Sequence, residues 1–103
     1  MTSTPHVQAI GIPWYRSEDY SRLRALFTDG DRLPATFRQW ESRAEEVRKR
    51  YASKGHTVIK AYIDPQTFPA WCAANGCTLD VDGRTKFANV EAYRALMESK
   101  SRR

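Results

Sequence analysis

The apolar positions change period along the chain, and each change marks an element. Residues 6–12 are rich in Val and Ile and run up to Pro13, the composition of a short strand. Gly11 packs little and Pro13 donates no ladder bond, so a central place in a sheet is disfavoured. Tyr20, Leu23, Leu26 and Phe27 follow at helical spacing, with Ser17 as N-cap and Glu18 and Asp19 at the positive helix end. This predicts a helix over 18–28, stopped by Asp29-Gly30-Asp31. Phe37, Trp40, Ala44, Val47 and Tyr51 then recur three or four residues apart, one narrow stripe along a second helix. Thr36 and Gln39 form a capping-box pattern at its start, and Lys54-Gly55 closes it.

Residues 57–63 are β-branched and aromatic between Gly55 and Asp64-Pro65, the second strand. Ile59, Ala61 and Ile63 form an apolar face expected to meet the helices. Val58, Lys60 and Tyr62 form a face expected to be partly wet. Thr67 is placed to cap a third helix, with Pro69 in its first turn. Phe68, Trp71, Cys72 and Asn75 share a face before Gly76. Leu79 and Val81 tie the next connection to the core. Asp82 is placed to cap a last helix over 83–99, with Phe87, Val90, Tyr93, Leu96 and Met97 inward.

The order β-α-α-β-α-α predicts a predominantly helical α+β domain with a small two- or three-stranded sheet. The globular part covers residues 6–99, between a loose tail at 1–5 and a basic, frayed end at 100–103. Two strands alone make a marginal sheet. Helices must cover them, a third short strand extend them, or a second subunit complete them. An unpaired strand edge invites another chain, so self-pairing as a homodimer is one expected outcome.

Composition narrows the class. The 103 residues are 41% hydrophobic, 28% charged and 12% aromatic, enough for one unaided core and unlike a disordered chain. The apolar stretch at 9–15 is short and broken by Gly11 and Pro13, which suits neither a membrane span nor a signal peptide. Two cysteines are too few for a disulfide scaffold. They are expected as reduced thiols in a cytoplasmic protein. The net charge of +5 is uneven: residues 37–54 carry six basic against three acidic side chains, and 84–103 carry six against two. Such asymmetry permits an anionic partner.

The candidate chemistry is thin. The sequence has no Gly-rich phosphate loop, Walker pattern or H-E-x-x-H. His6, His56, Cys72 and Cys77 are the possible zinc ligands, but C-x4-C around a helix end is not knuckle spacing. Cys72 reads as a small core residue and Cys77 as a loop thiol. A helix C-terminus before Cys77 disfavours a thiolate nucleophile. Asp64, Asp80 and Asp82 are the residues an Mg²⁺-dependent reaction would use, yet each has a turn or cap role. No catalytic residue, metal or cofactor is therefore assigned.

Two non-catalytic readings remain. The first is a protein-interaction or accessory module, working on another protein or on a second copy of itself. Phe37, Trp40, Val47 and Tyr51 are its core or interface stripe. The alternative is a small nucleic-acid-binding protein using Arg43, Arg48, Arg50, Lys54, Lys100, Arg102 and Arg103, with Trp14, Tyr15 and Arg16 stacking on bases. A metal- or thiol-dependent enzyme ranks third.

Overall fold

Two six-residue strands, β1 (Ala9–Trp14) and β2 (Thr57–Tyr62), pair in parallel, Ala9 opposite Thr57 through Trp14 opposite Tyr62. A parallel pair cannot be joined by a tight turn. The crossover here contains α1 (Tyr20–Leu26) and α2 (Phe37–Ser53), and after β2 come α3 (Phe68–Asn75) and α4 (Val81–Ser101). This is a computed structural model describing residues 9–101, with side chains up to residue 99. The expected tail at 1–5, residues 6–8 of the first strand, and the side chains of Lys100, Arg102 and Arg103 lie outside the described residues.

Parallel sheets are normally covered on both faces; here α4 covers one face and α2 covers part of the other. Gly11 faces α4 so closely that a Cβ there would lie 2.1 Å from the Ala88 carbonyl oxygen. The strand register puts Ile59 and Ala61 on the same side. On the opposite face, Trp14 meets Trp40 of α2 at 5.2 Å between ring centroids. Lys60 lies over the Trp14 ring at 4.5 Å and reaches Glu45 of α2 at 3.6 Å. Both expectations for the faces of β2 therefore hold: the apolar face meets α4, and the face of Val58, Lys60 and Tyr62 is partly wet, with Lys60 and Tyr62 exposed beside α2.

The α2 helix begins where local chemistry places it, the Thr36 hydroxyl accepting from the Gln39 N–H at 3.2 Å. Four expectations are corrected. The first strand continues through Pro13 to Trp14. The segment expected as one helix over 18–28 is a 3-10 turn at Ser17–Asp19 followed by α1, and Ser17 supplies no cap. At α3, Thr67 makes no side-chain cap. Instead Asp64 turns the chain, its carboxylate accepting from Gln66 N–H and its carbonyl from Phe68 N–H. At α4, Asp80 rather than Asp82 is the cap: its carboxylate accepts from Thr78 Oγ1 at 2.7 Å and from the N–H groups of Asp82 and Gly83.

The inward face of α4 is corrected too. Arg84, Ala88 and Ala92 are buried, Phe87 packs against the core, and Val81, Tyr93 and Met97 are 54%, 63% and 43% exposed. Small side chains are required where the helix crosses the Gly11 backbone. Asn75 is also exposed, its amide donating to the Trp71 carbonyl.

The core lies at the carboxyl ends of the strands. Leu23 and Ile63 are fully enclosed, and aromatic rings run in contact from Trp14, Tyr15 and Trp40 through Phe27 to Phe68 and Phe87. Pairs of this kind add about 0.5–1.5 kcal/mol each beyond area burial.

Candidate interaction surface

Strand parity decides which backbone groups stay open. Ile63 N–H donates to the Trp14 carbonyl at 3.0 Å, so Ile10, Ile12 and Trp14 direct their peptide groups toward β2. Gly11 and Pro13 direct theirs outward. Proline's missing N–H thus falls on the edge, where it costs no ladder bond. The outer edge of β2 belongs to Val58, Lys60 and Tyr62. There Lys60 is exposed and Arg16 stacks on Tyr62 at 4.9 Å.

A groove of about 330 Å³ borders the β1 edge. Ile12 and Pro13 form its floor, Trp40, Arg43, Ala44 and Val47 of α2 one wall, and Val81, Arg84 and Thr85 of α4 the other. The two arginines differ. Arg84 is spent on structure: its guanidinium donates to both carboxylate oxygens of Asp29 at 2.8 and 3.0 Å and lies over Phe27 at 4.6 Å. That hydrogen-bonded contact holds the Asp29 carboxyl below its usual range. Arg43 is exposed and makes no ion pair among the described residues. Tyr15, at the groove's end, is 3% exposed, and burial raises its phenol well above the ordinary value.

The basic residues singled out on α2 divide. Arg48 donates to Glu45 at 2.6 Å; the bond to Arg48, aided by Lys60, lowers the Glu45 carboxyl. Arg43, Arg50 and Lys54 lack ion-pair partners among the described residues, and their spacing follows one helix face. The apolar stripe divides as well. Trp40 and Ala44 are buried, Phe37 is half-buried against Tyr20 and Trp40, Val47 lines the groove, and Tyr51 meets His56. Trp14 and Tyr15 are enclosed in the core at 3% exposure, so stacking on bases is corrected for both.

Of the residues weighed for chemistry, Cys72 and Cys77 are neighbours with Asp80 nearby, while His6 lies outside the described residues. Among the described residues no three His, Cys, Asp or Glu side chains gather as a metal site. Cys72 and Cys77 are free thiols; Cys72 is buried, which raises its pKa. Among the described residues, no helix is long and apolar enough to cross a membrane. The Arg84–Asp29 contact is not legible in the sequence because its partners lie 55 residues apart, and Asp29 reads locally only as part of a helix stop.

Comparison with protein-family models, curated proteins and solved structures finds no match for this chain.

Proposed function

We propose that this chain is a non-catalytic protein-interaction or accessory module. The observation that carries the reading is the open outer edge of β1 beside an apolar groove, with Val81 left 54% exposed at its lip. Unpaired edges and exposed apolar side chains are what a protein partner uses. Two free thiols suit a reducing compartment such as the cytoplasm. A homodimer is the form this reading takes if the partner is a second copy.

One observation favours nucleic acid instead: Arg43, Arg50 and Lys54, on one face of α2, have no ion-pair partner among the described residues. The two readings separate in a titration of labelled single- and double-stranded oligonucleotides at about 50 and 200 mM salt, because phosphate contacts make affinity fall steeply with salt. The interaction module is expected to bind only weakly at low salt and to lose that binding at the higher concentration. Tight binding surviving at the higher salt, and weakened by Arg43→Ala and Arg50→Ala, would overturn it. Light scattering across a hundredfold dilution reports self-association separately.

A further inference from the structure

We infer that the groove along β1 binds an extended, acidic segment of another protein, which adds to the sheet as a third strand; this rests on the interaction-module reading above. The backbone supplies the first part of the argument. Gly11 N–H, Gly11 C=O and Pro13 C=O point away from β2 and have no hydrogen-bond partner among the described residues. An added strand can take all three, and such main-chain bonds are the source of affinity in strand addition.

The walls supply the second part. A strand beside β1 enters a slot flanked by α2 and α4, which cover the two faces of the sheet. Its side chains alternate between the two walls. Toward α2 they meet Ala44, Val47 and the exposed Arg43; toward α4 they meet Val81 and Thr85. Apolar contact is thus available on both sides, with the exposed Arg43 guanidinium on one.

Charge selects the occupant. Arg84 is neutralised by Asp29, so the slot's cation without an ion-pair partner among the described residues is Arg43, continued along α2 by Arg50 and Lys54. The chain carries a net charge of +5, so two copies repel on average. A carboxylate-bearing segment is complementary in sign.

The test uses the full chain and a display library of short random peptides. Enriched peptides are expected to alternate apolar and acidic residues and to shift the Gly11 amide and the Val47 and Val81 methyl resonances. N-methylation of alternate peptide amides should abolish binding. Arg43→Glu, an exposed change, should weaken acidic peptides about tenfold and turn selection toward basic ones. Val81→Asp should weaken them without altering the fold.

Enriched peptides that shift resonances elsewhere would overturn the groove while leaving the interaction module standing. So would N-methylated peptides binding equally well, or Arg43→Glu without effect. Groove resonances that move with protein concentration alone would assign the site to a second copy and overturn the acidic segment. The same shifts produced by oligothymidylate, surviving the higher salt, would overturn both readings.

Discussion

The two ends of the sheet are built on opposite principles. At the carboxyl ends of the strands, Trp14, Tyr15 and Ile63 enter a dense aromatic core with Phe27, Trp40 and Phe68. At the amino ends, Ala9, Thr57 and Ile59 meet Ala95, Leu96 and Ser99 of α4 around a cavity of about 200 Å³. Large rings hold the first end by area and shape. The second is held by close approach, with alanines and Gly11 letting α4 lie against the strand backbone. Stability should therefore be sensitive to loss of volume at one end and to gain of volume at the other.

The largest effect is expected at the aromatic end. Phe68 is 1% exposed and touches Phe27, Trp71 and Phe87, so Phe68→Ala should cost about 4 kcal/mol in a denaturant titration. At the other end the sign of the volume change reverses. Gly11→Ala places a methyl where the Ala88 carbonyl sits and should cost about 2–3 kcal/mol by overpacking. A neutral Gly11→Ala would show that α4 yields freely and would remove the contrast.

The Arg84–Asp29 pair joins the start of α4 to the aromatic end, and Asp29→Asn should cost about 2 kcal/mol through the lost charge-assisted bonds. Because Asp29 is depressed in the folded state, its contribution is fully present above the unfolded value of about 4. It is lost as pH falls through the lower folded value. Thermal melts from pH 7 to pH 2 should show this acid-side loss, and Asp29→Asn should flatten it. The smallest effects belong to the far part of α4. Tyr93→Gln and Met97→Gln should change stability by less than about 0.5 kcal/mol, since both side chains project into solvent.

The sequence made some of this legible and hid the rest for physical reasons. The α2 helix is written locally, by the Thr36 cap and by a stripe whose period needs no distant information. The second strand is likewise bounded by its own turn residues. The α4 helix offers two faces at helical spacing, one of alanines and one with Val90, Tyr93 and Met97. Hydrophobicity favours the larger residues, but the inward face is set by how near Gly11 comes, a tertiary fact. For the candidate surface, the cations of α2 were visible as types. That Arg48 is paired depends on Glu45, and the groove depends on how α2 and α4 flank the β1 edge, both tertiary facts.

The parallel pairing of β1 and β2 also sets an order in time. Roughly 40 residues separate the strands, and at ribosomal rates of about 5–20 residues per second β1 waits about 2–8 s for its partner to be made. During that interval neither side of β1 has a strand to bond. The α2 helix, whose stop and start signals are local, can form before the sheet does. On its outer edge Pro13 leaves nascent β1 one donor short, which weakens stray pairing there without closing the edge to a fitted strand. The residue that shapes the finished edge therefore also guards the nascent one, and substituting a β-branched residue there should raise aggregation during refolding.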